Sequence, residues 1–166
     1  MAAKAAGAST VILTGMTRDQ SRLDLGLRMG ADFAVNVETE DLRERVLAIT
    51  KGRGVDVVVD TTGDPTGKVV EDAIFLAVKG AYLSLNGLKQ SVPIGEIKKK
   101  YLTVRAPRGR SYDAVELALS YIASGKYPLD EMCSHDFGLS QVDEAIKATA
   151  GKEIEGAIHV TVNPWK

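Results

Sequence analysis

Short β-branched runs alternate along the chain with apolar stripes at helical spacing. Thr10, Val11, Ile12, Leu13 and Thr14 predict a first strand, closed by Gly15. A polar stretch over residues 16–21 then opens a helix through Leu23, Leu27 and Met29, stopped by Gly30. Residues 32–37 read as a second strand. Leu42, Val46 and Ile49 form a helical stripe that begins after Thr39 and ends at Gly52. Val55, Val57, Val58 and Val59, with Asp56 and Asp60, predict a third strand, and the valine run predicts burial on both of its faces. Thr61, Thr62, Gly63, Asp64 and Pro65 make its turn. Val69, Val70, Ala73, Ile74, Ala77 and Val78 then mark a helix stopping at Gly80. A fourth strand is expected over residues 81–85 and a fifth over 101–105, behind Lys98, Lys99 and Lys100, which read as a solvated helix end.

Beyond Pro107, Arg108, Gly109 and Arg110 the pattern changes. Ser111 and Asp113 are placed to cap a helix carrying Val115, Leu117, Ala118, Tyr121 and Ile122, terminated at Gly125. Residues 128–137 read as irregular or weakly extended. Ser140, Gln141, Val142 and Asp143 resemble a capping box for a helix running to Gly151, and residues 157–162 predict the last strand. Strands alternating with helices imply βαβ crossovers and a parallel sheet, an α/β protein. The alanine-rich start, up to Ala8, reads as the tail of a helix rather than a secretory signal, so the chain is expected to begin in mid-fold.

Composition narrows the function. Of 166 residues 45% are hydrophobic, which excludes disorder, and no run approaches the roughly 20 apolar residues of a membrane span. Lys and Arg number 21 against 22 Asp and Glu, so no electrostatic footprint for nucleic acid exists. The single cysteine, Cys133, excludes an internal disulfide framework and a multi-cysteine zinc site; a reducing, cytoplasmic setting is expected.

In an open parallel sheet, ligands bind beyond the carboxyl ends of the strands. Those ends here carry Gly15, Met16, Thr17 and Arg18; Thr61, Thr62 and Gly63; Leu85, Asn86 and Gly87; and Ala106, Pro107, Arg108 and Gly109. Small residues, hydroxyls and arginines suit a nucleotide cradle. Nothing among them is a catalytic base or nucleophile, so no catalytic residue is assigned. Asp60, at the end of a strand, is expected to cap the amides of Thr62 and Gly63. Cys133 and His135 lack further partners for a metal, and His159 alternates with Ile158 and Val160 as a strand residue; both histidines read as structural.

The ordered series resembles the cofactor-binding and C-terminal part of medium-chain, zinc-type alcohol and polyol dehydrogenases. Its carriers are Ala5, Ala6, Gly7 and Ala8 before Val11 and Ile12; Arg22 and Leu23 followed by Gly30, Ala31 and Asp32; and Val35, Asn36 and Val37. They continue with Gly52 through Asp60, Thr62 and Gly63, then Ala123, Ser124, Gly125 and Lys126, and finally Gly156 through Val160. The resemblance implies a Rossmann-like parallel sheet over residues 1–106 and, over 107–166, a C-terminal segment of α+β elements that completes the catalytic domain. It also implies absences: the N-terminal catalytic domain with its zinc ligands, and the first strand with its glycine-rich phosphate loop.

That first strand would lie centrally in the order 3-2-1-4-5-6. Its loss would leave a gap of about 10 Å between its neighbours. Unpaired buried amides cost about 1–3 kcal/mol each, so the strands at residues 10–14 and 55–60 are expected to pair directly, or another chain to fill the space.

Carried over by position, the adenosine-ribose discriminator falls at Gly15, where NAD-preferring relatives have an acid. With Thr17, Arg18 and Arg22 nearby, the turn favours NADP over NAD, although Asp19 shares the loop. Thr62 matches an adenosine-ribose contact. Leu85, Asn86 and Gly87 match the strand end beside the nicotinamide ribose, Ala106 and Arg108 the segment meeting the carboxamide, and His159 a position near the pyrophosphate. The implied function is part of an NAD(P)-dependent alcohol or polyol dehydrogenase, inactive alone, with a small alcohol as substrate only in the intact enzyme. Alternatives are a non-enzymatic nucleotide-binding or interaction module, or part of a zinc-independent quinone-type reductase. A homo-oligomer, a dimer joined along residues 101–105, is expected.

Overall fold

The computed structural model describes residues 1–86, 93–109, 111–150, 154 and 156–166. In chain order its elements are α1 (Ala2–Ala5), β1 (Ile12–Gly15), α2 (Gln20–Arg28), β2 (Phe33–Asn36), α3 (Leu42–Ile49), β3 (Val55–Asp60) and α4 (Lys68–Leu76). These are followed by β4 (Ala77–Leu85), α5 (Ile94–Lys100), β5 (Thr103–Arg105), α6 (Tyr112–Ala123), β6 (Cys133–Gly138), α7 (Val142–Thr149) and β7 (His159–Asn163). All strand pairings are parallel, in the orders β1-β2, β3-β4-β5 and β6-β7, as the α/β expectation requires. The chain forms two compact units, one of Met1–Glu40 with Tyr112–Lys166, the other Asp41–Ser111. Among the described residues no helix is long and apolar enough to cross a membrane.

The Asp41–Ser111 unit is organised by β4. Val70, Ala73 and Ile74 of α4 pack on Ala77, Ala81, Leu83 and Leu85 of β4 and on Leu102, with Leu83 and Leu85 fully buried. Each fully buried leucine contributes about 1.5–3 kcal/mol. Asp41 caps α3, its carboxylate accepting the Glu44 amide at 2.8 Å. The buried Asp72 of α4 is held by Arg43 of α3 at 2.6 Å and by Lys68 at 2.9 Å.

Two expectations fail in this unit. The valine run of β3 is not buried on both faces: Val58 packs against the core cluster, while Val57 and Val59 are 61% and 66% exposed. β3 is an edge strand, and the helix–strand core covers only the face that Val58 shares. The helix expected to reach Gly80 ends at Leu76, and β4 begins at Ala77. Ala77 is drawn into the ladder by pairing with Val55, with a register shift before Val57. The chain enters β3 across this junction through Gly54, at φ +91°, where an added Cβ would lie 2.3 Å from the Leu76 carbonyl oxygen.

In the other unit, Leu23 and Leu25 of α2 and Val35 of β2 are buried beside the β1-β2 pair. Asp32 ties its start together, accepting the Val11 amide at 2.6 Å and pairing with Lys4 at 2.7 Å. The stretch expected to be weakly extended resolves into a turn of 3-10 helix, Leu129–Met132, and strand β6, which pairs with β7. Ser140 does not cap α7; instead the Gln141 side chain reaches back to accept the Gly138 amide at 3.2 Å. Gly151, the expected stop, lies outside the described residues. α6 has no buried residue, and its Leu119 and Ile122 are 59% and 61% exposed.

β1 and β3 belong to different sheets. Their expected direct pairing therefore does not occur: β1 takes its ladder from β2 and β3 takes its own from β4.

Candidate cofactor-binding site

In the Asp41–Ser111 unit the parallel register sets Asp60 opposite Leu85, and Ser84 opposite Arg105. The carboxyl ends of β3, β4 and β5 are thus level, and Thr62, Asn86 and Ala106 leave the sheet from one edge. Leu85 is fully buried, whereas Asn86, Ala106 and Arg108 are exposed. Gly87 lies outside the described residues.

The first turn of this edge is ordered by its own acids. Asp60, buried, accepts both the Thr62 amide at 2.8 Å and the Thr62 hydroxyl at 2.7 Å, rather than amides of both Thr62 and Gly63. Asp64 accepts the Thr66 hydroxyl at 2.6 Å, the Thr66 amide at 2.8 Å and the Val69 amide at 3.0 Å. That set of donors, the Thr66 hydroxyl foremost, pushes the Asp64 carboxyl from 3.8 to about 2. The carboxylate also complements the exposed amides at the start of α4.

In the other unit, Gly15, Thr17, Arg18 and Arg22 share the turn from β1 into α2. Space at Gly15 is tight: a Cβ there would stand 3.1 Å from Leu23 Cδ2 and 3.2 Å from Asp19 Cβ, so these side chains would have to shift slightly to admit it. Two of the turn's amides are bonded to carboxylates: Asp19 accepts from Met16 at 3.1 Å, and Glu38 accepts from Thr17 at 2.7 Å. Arg22 donates to Asp19 at 2.6 Å and to the Ala157 carbonyl at 2.7 Å, two residues before His159. Burial works to raise the Asp19 pKa, but the Met16 amide and Arg22 outweigh it and hold the group low. Glu38 is held low chiefly by the Thr17 amide.

Glu38 was not singled out by sequence reasoning. Its signal is the turn Asn36, Val37, Glu38, in which the Asn36 side chain accepts the Glu38 amide at 3.0 Å and donates to the Thr17 hydroxyl at 3.1 Å.

His159 is exposed on β7. Ser134 on β6 donates to its carbonyl at 3.1 Å and accepts the Ile158 amide at 2.9 Å, while His135 stacks on Phe137 with ring centroids 6.3 Å apart. Among the described residues no three His, Cys, Asp or Glu side chains come together as a zinc ion would need, so these residues do not fit that metal.

The model of one protein family, described as zinc-binding dehydrogenase, matches residues 1–124. The sorbitol dehydrogenase of Halalkalibacterium halodurans is 31% identical over 159 residues, covering 93% of this chain and 45% of that protein. The L-threonine 3-dehydrogenase of Pyrococcus abyssi is 34% identical over 157 residues, covering 90% of this chain and 44% of that one. An alcohol dehydrogenase of Escherichia coli, solved with its cofactor NADH, superposes with a TM-score of 0.77 at 22% identity, covering 93% of this chain and 44% of that chain. The chain thus spans about 45% of the length of the curated relatives it matches.

Proposed function

The chain belongs to the zinc-binding dehydrogenase family, and from that membership we propose that it is the cofactor-side portion of an NAD(P)-dependent alcohol or polyol dehydrogenase. Residues 1–106 form the nucleotide-binding part and residues 107–166 a segment that completes a catalytic domain. The carrying observation is the level edge of β3, β4 and β5, from which Thr62, Asn86 and Ala106 emerge together.

Bound there, a nicotinamide dinucleotide supplies the hydride carrier. This chain's residues hold and orient it. In this reading Gly15, Thr17, Arg18, Arg22 and Thr62 serve the adenosine ribose. The backbone of Leu85 and the exposed Asn86 border the nicotinamide ribose, the backbone of Ala106 and Arg108 meets the carboxamide, and His159 stands near the pyrophosphate. Zinc chemistry has no fitting donor set among the described residues, and no step is assigned to it here.

The exposed Leu119 and Ile122 of α6 support a C-terminal segment that packs on further protein. β5, an edge strand with Thr103 and Arg105 exposed, is the proposed seam of a homodimer in a cytoplasmic setting.

Isothermal titration with NADH, beside an alcohol-oxidation assay, tests the proposal. Binding without turnover is expected. Turnover by the chain alone would overturn its inactivity, and an absence of binding at millimolar cofactor would overturn the cofactor role.

A further inference from the structure

We propose that Arg22 and Arg28 of α2 form a clasp that grips the C-terminal strand pair by the entry ends of β6 and β7, fixing that layer as one body on α2. All of these elements belong to the unit of Met1–Glu40 with Tyr112–Lys166. The use of the clasp rests on the proposed reading of residues 107–166 as the segment that completes a catalytic domain. Both arginines then act as positioning residues for that segment.

The two grips fall at matching points. Arg22 donates to the Ala157 carbonyl at 2.7 Å, two residues before β7 begins at His159, and its other terminal nitrogen is steadied by Asp19 at 2.6 Å. Arg28 donates to one carboxylate oxygen of Glu131 through Nε at 3.1 Å and Nη2 at 2.5 Å, two residues before β6 begins at Cys133. β6 and β7 are parallel, with Cys133 opposite His159, so both anchors lie at one edge of the pair. Six residues separate the arginines, a rise of about 9 Å along α2, enough to address two strands about 4.8 Å apart.

Close packing reinforces the same seam. A Cβ on Gly156 would stand 3.3 Å from Ser21 Oγ, so the backbone leading into β7 runs close against α2. Ser21, Leu25 and Arg28 follow the spacing of one helix face, and Leu25, at its centre, is buried.

The gripped layer has cohesion of its own. Its ladder runs from Cys133 and His159 to Gly138 and Asn163, and the Ser134 hydroxyl bridges the strands, donating to the His159 carbonyl and accepting the Ile158 amide. α7, with Ala145 and Ala148 buried, lies against β7. Losing the clasp therefore loosens the layer at α2 without breaking its ladder. The grips differ in kind: Arg22 brings a charged donor to the carbonyl of a buried residue, whereas Arg28 and Glu131 are exposed and their attraction is screened by salt.

Hydrogen exchange of the whole chain, read by mass spectrometry, tests the clasp on Arg22→Ala, Arg28→Ala, Glu131→Ala and the double variant of the last two. Circular dichroism confirms that each is folded. Amides of β6 and β7 are expected to exchange at least about fivefold faster in Arg22→Ala and about two- to threefold faster in Arg28→Ala, with β1 and β2 less affected. The double variant should exchange no faster than its faster parent, because both parents lose the same contact. In the unaltered chain about 0.5 M NaCl should speed β6 and β7 about twofold, an effect absent from Arg28→Ala. Unchanged β6 and β7 exchange in either arginine variant overturns the two-point clasp. So does an equal rise in β1 and β2, the mark of a general loss of stability, and so do additive effects of Arg28→Ala and Glu131→Ala. The measurement needs no cofactor, so its failure leaves the cofactor reading standing, and an absence of dinucleotide binding leaves the clasp standing.

Discussion

The ammonium group of Lys100 sits 2.8 Å from the carbonyl oxygen of Ile74, and it donates also to the carbonyls of Phe75 and Ala77 at 2.8 and 2.9 Å. These carbonyls stand at the end of α4 and the start of β4, where the helix leaves acceptors without intrahelical donors. One cation thus closes the helix and fixes the point at which the chain turns into the strand. Lys99, its neighbour, pairs only locally with Glu96 on the exposed surface. Lys100→Met is expected to lower the unfolding free energy by about 1.5–3 kcal/mol, and Lys99→Met by less than about 0.5 kcal/mol. Urea denaturation of the two variants checks this; equal effects would mean the carbonyl contacts contribute nothing.

The same junction explains Gly54. Its φ of +91° is strained for any other residue, and a methyl group there would meet the Leu76 carbonyl oxygen at 2.3 Å. Neither atom is the movable tip of a side chain, so relief requires β3 to shift away from the end of α4. Gly54→Ala should therefore destabilise by at least about 2 kcal/mol, measured as a lower denaturant midpoint with an unchanged slope.

The expectations that hold are those in which local pattern and tertiary context agree. The bounds of β3 are read from its valines because a β-branched run between Gly54 and a polar turn has no competing helical reading. Which face is buried was not legible there, since exposure of Val57 and Val59 depends on which strands and helices lie beside β3. The end of α4 was misplaced because Ala77 and Val78 continue an apolar helical stripe; the cation that stops the helix, Lys100, comes from another element. β6 carries Cys133, Ser134, His135 and Asp136, a stretch without the β-branched run that marks β3 and with a strand-disfavouring aspartate, and is a strand because β7 pairs with it. Glu38 eluded sequence reasoning for the same reason: its partner, Thr17, is remote along the chain and adjacent only once β1 and β2 pair.

Asp64 makes stability depend on acid in a defined direction. Its folded pKa, about 2, lies below the ordinary 3.8, so its contribution is complete above the unfolded value and is lost as pH falls through the folded one. Asp64→Asn keeps the shape and removes the charge. The melting temperature of the unaltered chain should exceed that of the variant at pH 6, and the difference should shrink as pH is lowered from about 4 to about 2. Other depressed carboxyls, Asp19, Asp32 and Glu38, are common to both proteins and give both the same background slope. A difference that stayed constant across the range would show that the charge of Asp64 is irrelevant to the turn.

α6 offers the opposite kind of test, one in which the chain itself should barely respond. A helix of 12 residues with no buried side chain gains little from the hydrophobic effect within this chain beyond the half-buried Tyr121, which packs edge-on against Tyr127, although Val115, Leu117, Leu119 and Ile122 are apolar and exposed. Lysine propagates a helix about as well as leucine and slightly better than isoleucine. Leu119→Lys combined with Ile122→Lys is therefore expected to change the unfolding free energy by no more than about 0.5 kcal/mol. By contrast, Ala148→Lys on α7, where the alanine is 1% exposed, forces a charge into a packed position and should destabilise by several kcal/mol, on the order of 3. Sedimentation of the α6 variant should also show less self-association than the unaltered chain, because the apolar face that would otherwise seek a partner carries two charges. A loss of about 2 kcal/mol or more from the α6 pair would mean that the helix is buried within the chain in solution, removing the support that its exposure gives to packing on further protein.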